Sequence, residues 1–507
     1  MITVSYRRDN VECETLRMFH LGLFGFILAA GLRAIPELQA GPNLVGHDTV
    51  LYAGLIARTT SCFNDVSSIS YGNSPLLFLL LCPLGKATEP LLVMKVAPVA
   101  LYGLLGSAIV YFAFKSLNLP PRDSILVAVF VMIQVAALRI SWDLHRNVLS
   151  TAVLLFLIAN LRPRIDRSHG VFLLLLGGLV IASHELVGAL MILIVGLLFL
   201  FKWSEFFGRE LKHAKFVLAF LAVALVWLIV VVSRIQRYEN LFVAYRATEV
   251  LAVTQLYFFS VLFLPLIPLV LIGKRTNAVL SAWLAAAGLV ATSPLLPIPF
   301  APAFWDRWML MLVFPLGILG GIGVLRIPTI VRRCVPRLYR YGGARVSAAI
   351  LLAVFIPFVV ISFGFMIAPP EHPFWLFDSP LLWRAGSSGI PSTMQSNTVD
   401  FSMTADIQRS LGWLAGRMNS SDVLLTHDAF YGYALIYMPS TANVLWYGYY
   451  GVEWGLSKAK ALGFKEAYLI WFTPGSGWHS PDPDLTGFKL VHQSGMIMLY
   501  VTPLIIN

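Results

Sequence analysis

The chain has 507 residues, of which 58% belong to the hydrophobic class and only 12% are charged. A soluble globular protein carries about 25% charged residues, so this composition excludes a soluble enzyme, a disordered chain and a fibrous repeat. It indicates a polytopic membrane protein. The net charge of +11 arises from 37 basic and 26 acidic residues. Many of the basic residues fall in loops that we place in the cytoplasm, so the excess indicates topology and we expect no nucleic-acid partner.

Hydropathy predicts where the chain crosses the membrane. A transmembrane helix needs about 20 apolar residues to cross about 30 Å of hydrocarbon. The first apolar run is followed by Arg33 and Pro36 without a small-residue cleavage pattern, so we expect it to be retained as a span. The predicted spans, about eleven in all, are 17–36, 90–114, 123–140, 148–161, 169–183, 186–201, 216–233, 255–273, 277–292, 308–325 and 346–367.

Basic residues predict the orientation of these spans. If the N-terminus lies in the cytoplasm, every cytoplasmic loop carries at least two Lys or Arg residues near a membrane end. The cytoplasmic loops are then 115–122, 162–167, 202–215, 274–275 and 326–345. The positive-inside rule thus fits an odd number of spans, which places the C-terminal region on the outer face of the cell membrane.

A long outer loop, 37–89, lies within the predicted transmembrane domain 1–367. In this loop, residues 47–58 carry apolar side chains at helical spacing, and 76–84 is an apolar run too short to span. Both patterns predict juxtamembrane helices that lie in the membrane interface.

The composition becomes mixed after the last predicted span. Residues 368–400 are rich in Pro and Gly and predict an irregular linker. Residues 401–507 predict a small extracytoplasmic α/β domain, because apolar runs of β-forming residues are bounded by Gly, Asp and Pro. The predicted helices are 406–417 and 452–462, and the predicted strands are 422–426, 467–472, 488–492 and 497–501.

The four cysteines show no CxxC spacing, which argues against a metal knuckle or a disulfide framework. Cys62 and Cys82 share the predicted outer side and are able to pair there. We nevertheless expect two unpaired thiols in preference to a disulfide.

Ionisable groups at the edge of a bilayer are costly, which makes them candidates for a functional site. On the predicted topology they gather at the outer face in five groups. The groups are His47, Asp48 and Tyr52; Asp143, His145 and Arg146; His184 and Glu185; Asp306 and Arg307; and Arg234, Arg237 and Arg246. Each group also has a purely structural interpretation. In the same order, these are a helix cap at Asp48, a solvated hairpin, a His–Glu pair that closes a helical hairpin, interfacial polar residues, and an ordinary solvated loop. Their convergence on one face predicts a site.

The chemistry of these groups suits a lipid-linked phosphosugar at the outer leaflet. An acceptor hydroxyl needs a base within about 3 Å, and Asp48 is the candidate. The departing phosphate needs cations, for which Arg234, Arg237 and Arg307 are candidates. We expect Asp48 and Asp143 to meet over one lipid-accessible hollow on the non-cytosolic surface.

Several motifs resemble a known family. An acidic residue begins the first outer loop in GHDTVLY (46–52), and YGNSPLLF (71–78) is similar to an aromatic–proline–apolar juxtamembrane helix. A second acid, Asp143, follows the third predicted span. With the outer C-terminal domain, these features resemble the GT-C superfamily of integral-membrane glycosyltransferases, such as protein mannosyltransferases and aminoarabinose transferases.

The resemblance implies an inverting transfer of one sugar from a polyprenyl-phosphate donor, with no metal and no cofactor. It implies that Asp48 is the catalytic base or orients the acceptor, that Asp143 is the second acid, and that membrane lipids surround the site. The sequence departs from the family in two places. His47 stands where the family often has a second acid, and WYGYYG (446–451) lacks the acid of the oligosaccharyltransferase motif, so we do not assign the chain to that branch.

Two other classes of function remain open on the sequence. A transporter or lipid flippase would also carry charged groups, although these cluster at one face and no repeated pair of broken helices is evident. A non-enzymatic assembly protein would use its outer domain to bind a partner. The acceptor is equally open, since a protein, a glycan or a lipid would fit, and the C-terminal domain either binds the acceptor or braces the loops.

Overall fold

The computed structural model describes residues 2–65, 74–161, 166–206, 242–243, 266, 278–291, 301–302, 305–339, 342–376, 391–476 and 482–504. These residues are mostly helical. The helices are α1 (Ile2–Gln39), α2 (His47–Arg58), α3 (Leu76–Ala87), α4 (Pro90–Lys115), α5 (Pro121–Met132), α6 (Val135–Asp143), α7 (His145–Ala159), α8 (Arg167–Ser183), α9 (Glu185–Phe206), α10 (Ala278–Ala291), α11 (Trp305–Cys334), α12 (Gly343–Ile367), α13 (Thr404–Ala415), α14 (Asp428–Tyr437) and α15 (Val452–Ala461).

Several of these helices are long and apolar, as expected for a membrane protein. Within the described ranges, four are long and apolar enough to cross a membrane: Leu16–Gln39, Pro90–Lys115, Arg307–Cys334 and Gly343–Ile367. The bent pair α5 and α6 would supply a fifth crossing. The other apolar helices are shorter; α7, with 15 residues, is only about 22 Å long. The predicted spans 216–233 and 255–273 lie outside the described residues, so the count of about eleven stays a prediction.

The predicted span 123–140 is not one continuous helix, which corrects the sequence-based expectation. Helices α5 and α6 are bent by 67° at Ile133 and Gln134. Carbonyl groups beside the break still receive hydrogen bonds, which makes the break tolerable in an apolar setting. The hydroxyl of Tyr102 donates to the Met132 carbonyl at 2.6 Å, and that of Ser362 donates to the Ile133 carbonyl.

The chain divides into two compact units. The first comprises residues 1–35 and 98–393, and the second comprises 36–97 and 394–507. The first outer loop, which we expected in the transmembrane domain, therefore belongs to the same compact unit as the C-terminal domain. The predicted helix at 47–58 is confirmed as α2, and the apolar run from residue 76 is confirmed as α3. Their position in the membrane interface stays a prediction.

The second unit contains a five-stranded mixed sheet in its described part. The strands are β3 (Asp422–Thr426), β4 (Asn443–Trp446), β5 (Glu466–Phe472), β6 (Lys489–Ser494) and β7 (Ile497–Pro503), numbered after the two-residue strands β1 (Phe242–Val243) and β2 (Ala301–Pro302) of the first unit. Their order in the sheet is β4-β3-β5-β7-β6. Strand β3 is parallel to β4 and β5, whereas β7 is antiparallel to its neighbours. Four strands and two helices were predicted within three residues of their ends, and α14 and β4 were missed.

Helix α14 explains why the first outer loop joins this unit. The guanidinium of Arg58, at the end of α2, donates to the Leu435 carbonyl at 3.1 Å and to the Ser440 carbonyl at 2.9 Å. Carbonyls at a helix C-terminus lack hydrogen-bond donors within the helix, so the guanidinium donates to them instead. The second unit is further joined by Asn397, whose side-chain amide donates to the Leu44 carbonyl at 3.1 Å.

Cys62 and Cys82 form a disulfide, which corrects the expectation of two unpaired thiols. The bond joins the segment after α2 to α3 across a sequence separation of 20 residues. Spacing along the sequence gave no sign of this pair, because the two Cα atoms come within 5.7 Å only when α3 packs beside α2.

Candidate functional site

Asp143 lies at the end of α6 in the first unit and is almost completely buried, at 4% exposure. Its carboxylate forms an ion pair with Arg139, one turn earlier on the same helix and also buried. The Arg139 guanidinium also lies 5.2 Å from the centre of the Trp142 ring. A buried carboxylate needs such a partner, so the solvated hairpin considered for 142–147 is not what forms here.

A second arginine enters the same region from α1. Arg33 is fully buried, and its Nε donates to the Ser141 carbonyl at 3.4 Å. Its positive charge also interacts electrostatically with His145, which begins α7, and with Tyr102 of α4. Sequence reasoning missed Arg33 as a site residue, although a cation inside an apolar span is itself a signal of function.

His184 and Glu185 lie at the break between α8 and α9. The Nδ1 atom of His184 accepts a hydrogen bond from the backbone N–H of Leu186 at 3.2 Å. The charges of Glu185, Arg146 and Arg307 all act on His184. Residues from three predicted groups, far apart in sequence, are therefore brought into one neighbourhood of the first unit.

We call this neighbourhood the arginine cluster, after the residues that share it. Its members are Arg33, Arg139, Asp143, His145, Arg146, His184, Glu185 and Arg307. These described side chains include four arginines and two carboxylates, those of Asp143 and Glu185. Cations held at low exposure favour an anionic group such as a phosphate.

An apolar groove lies in the same unit. Its volume is about 290 Å³, and it is lined only by aliphatic side chains, Met132 and Gly25, from α1, α4 and α5. Two of its lining residues are Leu32, which precedes Arg33 in the chain, and Met132, whose carbonyl accepts a hydrogen bond from the Tyr102 hydroxyl. The groove and the arginine cluster therefore both take residues from α1.

Asp48 lies in the second unit, in the first turn of α2, and is partly exposed. It accepts a hydrogen bond from the hydroxyl of Tyr52, one turn later, at 3.4 Å. Tyr52 is buried and meets the Phe78 ring edge-on, with ring centroids 5.2 Å apart. The residue in the N-cap position is Gly46 and no side-chain cap is formed there, so Asp48 does not act as the N-cap.

Helix α14 begins with a second His-Asp pair, His427 and Asp428. Burial lowers the pKa of His427, the neighbouring Asp428 raises it, and the charge of His47 lowers it further. The ring accepts a hydrogen bond from the backbone N–H of Ala429. Sequence reasoning missed this pair. The signal was present, because the dipeptide His-Asp occurs at 47–48 and at 427–428 and nowhere else in the chain.

The remaining predicted residues are placed as follows. Arg234, Arg237 and Arg246 lie outside the described residues, as does the side chain of Asp306. Asp48 and Asp143 belong to different compact units, so their meeting over one hollow stays a prediction. Within the described segments, no group of three His, Cys, Asp or Glu side chains is arranged to hold a metal ion, and a metal-independent reaction stays a prediction.

Comparison with known protein families found no family model that matches the chain, and comparison with curated protein sequences found no match.

Proposed function

We propose that the chain is a GT-C-type glycosyltransferase that moves a sugar from a polyprenyl-phosphate donor to an acceptor on the outer face of the membrane. The observation that carries the proposal is the presence of the arginine cluster and an apolar groove in the same compact unit, both with residues from α1. Cations at membrane depth are expensive and are kept where they bind something. A phosphate attached to a long isoprenoid chain needs both a cationic and an apolar surface.

The arginine cluster suits the leaving group of this reaction. When the bond between the sugar and the phosphate breaks, negative charge grows on the phosphate oxygens. Fixed guanidinium groups stabilise that charge without reorganising at the moment of reaction. Arg146 and Arg307 are the candidates, because both act on His184 from different helices. Asp143 and Arg139 compensate each other's charge. Their role would be to orient the other side chains of the arginine cluster.

Asp48 suits the role of acceptor-activating base. Its carboxylate is partly exposed, and its position is fixed by the hydroxyl of Tyr52. It would take the proton from the acceptor hydroxyl as the oxygen attacks the anomeric carbon and the phosphate leaves. Attack opposite to the leaving group inverts the configuration at that carbon. An outer-face orientation and about eleven spans belong to the same proposal.

The test supplies purified protein in liposomes with radiolabelled polyprenyl-phosphate sugars and a panel of glycan, peptide and lipid acceptors. Transfer is expected for the wild type and is expected to be lost in Asp48→Asn. Donor binding is expected to be unchanged in that variant and weakened about tenfold or more in Arg146→Gln, because one charge-assisted contact is lost. Asp123→Asn is the matched control, since Asp123 also lies in the first turn of a helix. Wild-type transfer by Asp48→Asn would contradict the proposal.

A transporter or flippase is the second candidate, and one observation favours it. Helices α5 and α6 form a single broken element with a 67° bend, and broken helices line the transport sites of many carriers. Labelled-substrate flux across sealed vesicles, without covalent transfer, would support this candidate over the transferase.

A further inference from the structure

Helices α2 and α14 run side by side in the same direction within the second unit. At the N-termini of the two helices, the charge of His47 interacts with His427. At their C-termini, the guanidinium of Arg58 donates hydrogen bonds to the carbonyls of Leu435 and Met438. Both helices thus begin at one place, each with a His-Asp pair. The positive ends of both helix dipoles therefore lie at that place.

A buried hydroxyl at this place has no partner within the described part of the chain. Tyr447 is 3% exposed, and its hydroxyl makes no hydrogen bond to any described residue. Burial raises the pKa of this hydroxyl, and the negative charges of Asp428 and Glu453 raise it further. The Tyr447 ring lies 5.9 Å from the His427 ring. A buried hydroxyl that forms no hydrogen bond is unfavourable.

Asp428 is oriented by its neighbour in the sheet. The indole N–H of Trp446 donates to one carboxylate oxygen of Asp428. The other oxygen accepts no hydrogen bond from the described residues. A carboxylate held in this way is ready to accept hydrogen bonds from a ligand hydroxyl, with little entropy left to lose.

Aromatic rings continue from Trp446 along the surface. The Trp446 ring meets the Tyr450 ring edge-on at 6.4 Å, and the Tyr450 ring stacks on Trp454 at 4.8 Å. Tyr450 is 64% exposed despite these contacts. A large exposed aromatic ring with fixed neighbours offers a rigid, flat contact surface.

We infer that Asp428, Trp446 and Tyr450 form a carbohydrate-binding site, and that the acceptor bound there is a neutral glycan. The role of this glycan as the acceptor rests on the proposed function, whereas the existence of the binding site does not. A pyranose has a face of C–H groups, which carry partial positive charge and pack on the negative face of an aromatic ring. Its hydroxyls donate hydrogen bonds to carboxylates such as that of Asp428. The carboxylates of Asp428 and Glu453 disfavour an anionic ligand.

The experiment measures binding without a donor, so that it is independent of transfer. Full-length protein in nanodiscs is titrated with cellotetraose and with α-mannotetraose, and binding is followed by saturation-transfer NMR. A neutral hexapeptide amide of Gly, Ser and Asn is titrated in parallel. We expect saturable binding of at least one tetrasaccharide, with a dissociation constant of about 1 mM or below, and no binding of the peptide.

Three variants locate the site. Tyr450→Ala is expected to weaken tetrasaccharide binding about tenfold, and Tyr450→Phe is expected to retain it because the ring face remains. Asp428→Asn is expected to weaken it to a similar extent. Trp413→Ala is the matched control, since Trp413 is a partly exposed ring of the same unit that stacks on His492 at 4.7 Å; binding should stay within about twofold of the wild type.

The outcomes separate this inference from the proposed function. If neither tetrasaccharide binds, or if Tyr450→Ala binds as well as the wild type, the inference is overturned. Binding of the peptide in place of the tetrasaccharides, with the same sensitivity to Tyr450→Ala, also overturns it and indicates a protein acceptor. Tetrasaccharide binding by a protein that transfers no sugar would keep the carbohydrate site and remove the transferase.

Discussion

Gly54 of α2 and Gly432 of α14 are in backbone contact. A Cβ atom built on Gly54 would lie 2.7 Å from the carbonyl oxygen of Gly432, and one built on Gly432 would lie 2.7 Å from the backbone nitrogen of Leu51. The absence of both side chains lets the two helices approach closely. This contact fixes α2, which carries Asp48, to a helix of the C-terminal domain.

Gly54→Ala should destabilise the second unit. The added methyl group would meet a carbonyl oxygen that belongs to a packed helix, so the helices must separate, at a cost of about 1–3 kcal/mol. The measurement is thermal unfolding of the full chain. Gly412→Ala is the control, because no atom lies within 4 Å of a Cβ built there. It should stabilise α13 slightly, by about 0.5–1 kcal/mol. Equal stability of the two variants would show that α2 and α14 do not pack closely.

Removing the disulfide should destabilise the first outer loop. Cys62→Ser with Cys82→Ser is expected to cost about 3 kcal/mol, because the unfolded segment of about 20 residues regains its freedom. The measurement is the melting temperature with and without reductant. The wild type should lose stability on reduction, whereas the double variant should not respond.

The same cysteines report on topology. Disulfides persist in oxidising compartments, so Cys62 and Cys82 are expected on the outer face. Cys334 is an exposed thiol in the described part of the chain, within the predicted cytoplasmic loop 326–345. A membrane-impermeant maleimide should therefore label Cys334 only after the membrane is opened. Labelling of Cys334 in intact, right-side-out cells would reverse the predicted orientation.

Asp143→Ala should destabilise the first unit more than it would if Asp143 were only catalytic. The substitution leaves the buried guanidinium of Arg139 without its carboxylate, which typically costs about 3–5 kcal/mol. The double variant Arg139→Met with Asp143→Leu should be less damaging than the sum of its single substitutions. The exposed Arg409–Asp406 pair is the control, and breaking it should cost less than about 1 kcal/mol. Additive effects in the buried pair would mean that the two side chains do not interact.

Stability of the second unit should fall on acidification below pH 6.5, and His427 should contribute. Burial lowers the pKa of His427 from its ordinary value of 6.5, so the unfolded chain binds a proton at a higher pH than the folded one. The free energy of unfolding therefore decreases as the pH falls through 6.5, by at most about 1.4 kcal/mol per pH unit from this residue. His427→Gln should flatten this pH dependence of the free energy of unfolding. A steeper loss of stability in His427→Gln would contradict the assignment.

The sequence alone determined the local structure of this protein. Hydropathy located a helix at each predicted span that falls in the described residues, and helical spacing gave both ends of α2. Runs of apolar and β-forming residues bounded by Gly, Asp and Pro predicted four strands of the C-terminal sheet. These features depend on residues that are neighbours in the sequence, so they can be predicted from the sequence alone.

Only the tertiary structure decided which distant residues meet. The bond between Cys62 and Cys82, the break between α5 and α6, and the approach of His427 to His47 all depend on side chains from separate elements. The same holds for Arg33, whose role appears only when α1 packs beside α6 and α7. Burial and side-chain contacts arise from packing between elements that are distant in the sequence. They leave no periodic pattern in a single sequence from which they could be predicted.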